Sequence, residues 1–126
     1  MPASLRWHDT CPILIQALVG EISGGELQEM CDCRWKMLDE ANRQVILLAD
    51  AHDLDGLTSA EPASTLCDSV IHHPNVYRTL IVLKPTLFRS VRGAVESMQP
   101  HGLPIAFYSD ADAAMTEAEA LCKAMR

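Results

Sequence analysis

Aromatic residues and long apolar runs are both scarce in this chain of 126 residues. Only 5% of the residues are aromatic while 48% are hydrophobic, so the core must consist mostly of aliphatic side chains. No apolar run approaches the roughly 18 residues that a membrane-spanning helix needs. The first residues, Met1–Trp7, also lack the apolar core of a signal peptide. We therefore expect a cytoplasmic protein with no membrane span and a single domain over residues 1–126.

Positive charge is also in short supply. The chain has 10 Lys and Arg against 17 Asp and Glu, which gives a formal net charge of −7. Binding to nucleic acid depends on clustered Lys and Arg, and binding to an anionic membrane surface depends on the same sign of charge. The composition therefore predicts no nucleic-acid partner.

Sequence signatures of catalysis and of metal binding are missing. There is no Gly-x-Ser-x-Gly elbow and no glycine loop that could cradle a phosphate. Cys31 and Cys33 stand two apart on a predicted helix, so they point in different directions, and a zinc site would need partners such as His72 and His73. The five cysteines, an odd number, indicate reduced thiols. We expect no enzyme, no catalytic residue, no cofactor and no metal.

Apolar stretches and turn residues predict nine elements in the order ββαβαβαβα. The predicted strands are Leu5–His8, Pro12–Gly20, Val45–Ala49, Tyr77–Leu83 and Leu103–Tyr108. The predicted helices begin at about Gly24, near Thr58 or Ser59, after Lys84-Pro85-Thr86, and at Ser109 or Asp110. The second helix closes at Pro74-Asn75, and the third is broken at Gln99–Gly102.

The first helix has the clearest local signals. Ser23 and Glu26 have the spacing of a capping box, and Ile22 and Leu27 that of a hydrophobic staple. Asn42 is suited to end the helix. The expected apolar stripe consists of Leu27, Cys31, Leu38 and Ala41, with Trp35 nearby.

The connection between the first two strands is too short for a crossover, so they should form an antiparallel hairpin. The later strands alternate with helices, which predicts parallel pairing and a mixed, mainly parallel sheet. Ligand crevices in such sheets lie beyond the carboxyl ends of the strands. Here those ends include Asp50, a predicted polar loop over Ala51–Leu57, and Lys84.

That loop and its neighbour supply the candidate interaction residues. They are Asp50, His52, Asp53, Asp55 and Lys84. The carboxylate oxygens of Asp50, Asp53 and Asp55 could bind a divalent cation, but the glycine and glutamate spacing of a calcium loop is absent. Asp50 and Lys84-Pro85 also suggest a response-regulator receiver. Against that, the acidic pair after the first receiver strand is missing, and only one βα unit separates Asp50 from Lys84 where a receiver has two.

The layout resembles the STAS group, the sulfate-transporter and anti-sigma-factor antagonist domains, and more closely a divergent bacterial branch of unknown function with the same SpoIIAA-like fold. The resemblance covers nearly the whole chain. It is carried by Trp7-His8-Asp9, Gly20 before a capped helix, Asp50 at the end of a core strand, His73-Pro74-Asn75 and Ser109-Asp110-Ala111. It implies an α/β domain of SpoIIAA-like fold with an N-terminal β-hairpin and about four helices.

The resemblance also implies a non-enzymatic protein-interaction module of a regulatory kind. In such antagonists a Ser or Thr at the start of the helix after the Asp-ended strand is phosphorylated, and the matching positions here are Thr58 and Ser59. This chain departs from the usual Ser-Ser-Gly pattern there, and ordinary N-capping is the stronger interpretation of these two residues. A small-ligand or lipid-binding module using the crevice near Asp50 and Lys84 stays open, as does an uncharacterised scaffold that forms a homodimer.

Overall fold

The computed structural model describes residues 3–22, 24–57, 73–85 and 105–125. Apolar residues of these ranges form five strands, and two amphipathic segments form helices. The elements are β1 (Ala3–Trp7), β2 (Ile13–Ile22), α1 (Gly24–Ala41), β3 (Val45–Leu57), β4 (Val76–Leu83), β5 (Ile105–Tyr108) and α2 (Ala111–Ala124). The part of the chain described here contains no helix that is long and apolar enough to cross a membrane.

The five strands form one sheet in the order β1-β2-β3-β4-β5. β1 and β2 pair antiparallel as a hairpin, with Leu5 opposite Gln16. Every later pair is parallel, with Leu48 opposite Leu80 at the centre of the sheet. The predicted mixed, mainly parallel sheet with an N-terminal hairpin is therefore confirmed.

Alternating strand residues build a core on each face of the sheet. One face packs against α2, and its buried residues are Ile13, Ile15, Ile46, Leu48, Leu80, Val82, Ala114, Ala118 and Cys122. The other packs against α1, and its buried residues are Leu14, Leu38, Val45 and Leu47. β2 and β3 contribute to both faces, as expected of apolar strands that are covered on both sides.

The predicted limits of α1 agree with the structure. The helix begins at Gly24 and ends at Ala41, and Asn42 follows with a φ of 54°, the left-handed conformation that commonly ends helices. Cys31 and Leu38 are buried as predicted. Trp35 is largely exposed, and the unexpected residue on the buried side is Arg34.

One boundary was predicted wrongly. The strand expected to stop at Asp50 continues to Leu57, so Asp50, His52, Asp53 and Asp55 lie in β3 and not in a loop. The polar sequence predicts a loop, but β2 is long enough to pair with this stretch and satisfies its backbone hydrogen bonds.

The last helix is capped as expected. Asp110 has extended backbone geometry, and its carboxylate accepts a hydrogen bond from the Asp112 N–H at 3.0 Å. The second and third predicted helices, including Thr58 and Ser59, lie outside the described residues, and so do Leu103 and Pro104.

Candidate functional site

β2 and β3 extend together beyond the end of β4. β4 ends at Leu83, opposite Ala51, whereas pairing between β2 and β3 continues to Ile22 and Leu57. We call residues 19–22 with residues 53–57 the β2–β3 ribbon. It stands at the carboxyl edge of the parallel strands, where the sequence places the candidate interaction residues.

The ribbon is irregular. The register of β2 against β3 shifts between Ala17 and Val19 and again between Gly20 and Glu21, and at each shift β3 contains one more residue than β2. Such bulges bend a strand and re-aim its side chains. Gly20 of β2 lies at the second shift and has a φ of +72°, a conformation that residues with a Cβ rarely adopt. The backbone of β2 at this point therefore favours glycine.

The side chains at this edge are mostly acidic and accessible. Val19 is 49% exposed, and Glu21 is exposed as well. The side chain of Asp53 is 73% exposed and that of His52 is 52% exposed. The accessible surface at this edge therefore combines one apolar side chain with two carboxylates.

Short-range contacts organise the strand at this point. The Asp50 carboxylate accepts a hydrogen bond from the His52 N–H at 3.1 Å, and His52 Nδ1 lies 3.4 Å from Asp53 Oδ1. Lys84 directly follows Leu83, the register partner of Ala51, so it lies at the same edge as these residues. The structure thus brings Asp50, His52, Asp53 and Lys84 to one edge. Of Asp55 it describes only the backbone.

Among the described residues, no three His, Cys, Asp or Glu side chains converge on a point where they could hold a metal ion. Surface depressions occur at the opposite, amino edge of the sheet. One of ≈ 350 Å³ is lined by Trp7, Glu40, Ala41 and Arg43. A second of ≈ 250 Å³ is lined by Thr10, Pro12, Arg43, Gln44, Cys122 and Met125.

Sequence reasoning missed a buried polar cluster between α1 and β2. Arg34 and Gln16 are both fully buried, and an Arg34 guanidinium nitrogen donates to Gln16 Oε1 at 2.6 Å. The Gln16 amide in turn donates to Met30 Sδ. Helical spacing could have placed Arg34 on the buried side, because it stands three residues after Cys31 and four before Leu38, both of which are on the buried stripe.

A second missed group joins the start of β4 to α1. The buried His73 accepts the Asn75 N–H at Nδ1, and its Nε2 lies 2.8 Å from Asp39 Oδ1. This arrangement fits the neutral tautomer with its proton on Nε2. Asn75 also donates to the Leu38 carbonyl near the end of the helix. Residues 34 positions apart in sequence meet here, so spacing could not reveal them.

Comparison with known proteins gives a likeness of fold. No protein-family model matches this chain, and no curated protein matches it in sequence. An uncharacterised protein of the DUF3478 family from Shewanella loihica PV-4, with a SpoIIAA-like fold, aligns with a TM-score of 0.63 and 18% identity, covering 92% of this chain and 91% of that one.

The anti-sigma factor antagonist SpoIIAA in its unphosphorylated form aligns with a TM-score of 0.65 and 10% identity, covering 93% of this chain and 97% of that one. Both alignments span almost the whole of each chain. At these identities the likeness concerns architecture alone. The chain has a SpoIIAA-like fold, as the resemblance noted in its sequence implies.

Proposed function

We propose that this chain is a non-enzymatic, STAS-like protein-interaction module that binds a partner protein through the β2–β3 ribbon. The observation that carries the proposal is the ribbon itself, which extends past β4 and leaves Val19 49% exposed. A regulatory role like that of an anti-sigma-factor antagonist is supported by the likeness of fold to SpoIIAA. A cytoplasmic location is supported by the free thiols of Cys31 and Cys33.

The charges of the ribbon define the chemistry of the partner. Glu21 and Asp53 are exposed beside Val19, and the whole chain carries a net charge of −7. A partner surface with Lys or Arg around an apolar centre complements this pattern and is steered toward it in solution.

The proposal is tested by capturing partners from the native cells with the tagged protein and quantifying them by mass spectrometry. The test variant combines Val19→Asp with Asp53→Lys, which removes the apolar centre and reverses a charge. The matched control is Tyr77→Asp, because Tyr77 is 39% exposed but lies at the amino end of β4. We expect a discrete protein that is captured by the wild type and the control and lost with the ribbon variant.

A protein retained by the ribbon variant would place the contact elsewhere on the molecule. If no protein is enriched over an unrelated bait of equal charge, the interaction function itself is wrong. Circular dichroism of each variant ensures that a lost partner reflects the surface and not unfolding.

We propose Thr58 and Ser59 as the regulatory phosphosite of this module. In sequence they directly follow Leu57, the last residue of the ribbon. A doubly charged phosphate that follows Leu57 in sequence adds to the negative charge of the chain next to the ribbon, so we expect it to change the affinity for the partner. The test compares partner affinity for Thr58→Glu/Ser59→Glu with that for Thr58→Ala/Ser59→Ala. Equal affinities, with no phosphate found at either residue in native protein, would rule out the switch.

A further inference from the structure

β1 is an edge strand without the usual protection against pairing. Its inner side pairs with β2 in a regular register from Ala3 to Trp7, and no other described strand pairs with it. Natural edge strands are commonly blocked by a bulge, a proline or several charges. β1 has no bulge and no proline, and its only charged residue is Arg6.

The outward hydrogen-bonding groups of β1 can be assigned. The His8 N–H donates to the Ile13 carbonyl at 2.9 Å, which continues the β1–β2 register by one residue. Inward and outward residues alternate in an antiparallel pair, so Arg6 and Ser4 also bond toward β2. The N–H and C=O groups of Leu5 and Trp7 therefore face the outer edge.

We propose that two copies of this chain form a symmetric dimer through antiparallel β1–β1 pairing about a two-fold axis at Leu5. The two sheets then become one continuous sheet that contains the five described strands of each copy. An isologous contact of this kind pairs the same surface on both copies. It uses a different edge from the β2–β3 ribbon and does not depend on the proposed partner protein.

Charge selects this register over its neighbours. An axis at Leu5 pairs all five residues of β1 and places Ser4 opposite the partner's Arg6. An axis at Arg6 would place two guanidinium groups directly opposite each other, which is destabilising. An axis at Ser4 would pair only Ala3, Ser4 and Leu5 of β1.

The side chains of β1 fit such a contact. Leu5 is half-buried and packs against the core cluster of Leu14, Leu38, Val45 and Leu47, which holds the centre of the proposed contact in place. Trp7 is 37% exposed at the end of the strand, and aromatic side chains are enriched at protein interfaces. Ser4 and Arg6 are exposed, and substitutions there leave the core of the monomer unchanged.

The test is analytical ultracentrifugation over a wide concentration range. The wild type should reach a mass of about twice 13.9 kDa. Ser4→Arg places like charges opposite each other twice across the axis and should weaken dimerisation about tenfold, whereas Ser4→Glu should strengthen it. The double variant Ser4→Arg/Arg6→Glu places opposite charges across the axis again, so it should reverse the loss caused by Ser4→Arg and dimerise about as tightly as Ser4→Glu.

Melting temperatures of the isolated variants check that each keeps its fold. A wild type that stays monomeric at the highest concentration reached would overturn the proposal. A dimer whose affinity ignores Ser4→Arg, or is not restored by the charge exchange, would overturn it as well, because it must then use another surface.

Discussion

At the scale of single residues, the fully buried Arg34 is the most unusual choice in this core. A guanidinium group removed from water is tolerated only when hydrogen bonds replace its hydration. Gln16 provides one such bond at 2.6 Å, and Cys31 Sγ lies 3.5 Å from another nitrogen of the same group. The Arg34 side chain thereby ties α1 to Gln16 of β2, and this contact fixes the position of the helix on the sheet.

Replacing Gln16 by Leu should lower the free energy of unfolding by about 2 kcal/mol, because a donor of the buried Arg34 loses its acceptor. Adding Arg34→Met should recover part of this loss, since two apolar side chains then face each other. Urea unfolding followed by circular dichroism measures both variants. Losses that simply add would show that the two side chains act independently.

The surroundings of Tyr108 shift the pKa of its phenol. Burial raises the pKa of its phenol above the ordinary 10.0, the Glu117 carboxylate raises it further, and the Arg78 guanidinium partly opposes them. The folded protein then holds the proton more tightly than the unfolded chain does. The resulting contribution to stability is complete below about pH 10 and is lost as pH rises through the folded-state pKa.

Alkaline titration by ultraviolet absorbance can follow Tyr108 alone in a Tyr77→Phe background, because the chain has two tyrosines. Glu117→Gln should bring the pKa of Tyr108 closer to 10.0. Glu40→Gln makes the same change in charge on α1 and serves as the control. An equal response to both variants would indicate a general charge effect in place of the local one.

At the scale of elements, the cap of α2 has a measurable energetic role. The Asp110 carboxylate accepts the Asp112 N–H, one of the N–H groups that a helix leaves without an internal partner. Asp110→Ala should therefore lower the free energy of unfolding by about 1 kcal/mol, while Asp110→Ser should retain most of the stability. Thermal and urea unfolding compare them, and an equal loss in both variants would contradict a capping role.

The boundary of β3 shows where a sequence pattern misleads at this scale. Val45–Ala49 is unmistakably a strand, but the polar residues from Asp50 to Asp53 have the composition of a loop. Whether such residues continue a strand depends on the length of the neighbouring strand, which is a tertiary property. Asp110 and Asn42, whose roles are local, were by contrast predictable from sequence alone.

At the scale of the whole molecule, stability should differ along β3. Residues 46–50 pair with strands on both sides, whereas residues 53, 54, 56 and 57 pair, within the described sheet, with β2 alone. Hydrogen exchange followed by mass spectrometry should therefore show faster exchange in residues 53–57 than in residues 46–50. Equal protection of the two stretches would contradict this expectation, because the ribbon would then open only together with the centre of the sheet.

Much of the architecture could be predicted because it follows from chain order. A short connection requires a hairpin, and alternation of strands and helices requires parallel pairing, which also gathers Asp50, His52, Asp53 and Lys84 at one edge. The contacts of His73 with Asp39 and of Arg34 with Gln16 could not be predicted. They depend on how helices and strands pack after the sheet has formed, and no local pattern encodes that.

The order of the strands in the sheet has a consequence for recognition. Neighbours in the sheet are also neighbours in the chain, from β1 through β5, so the direction of winding never reverses among these strands. Open α/β sheets form their enclosed clefts at a topological switch point, where crossovers leave on opposite sides and part. Among the described strands there is no such point, so their order gives no position for a crevice of that kind, and the β2–β3 ribbon is the feature that extends from their carboxyl edge.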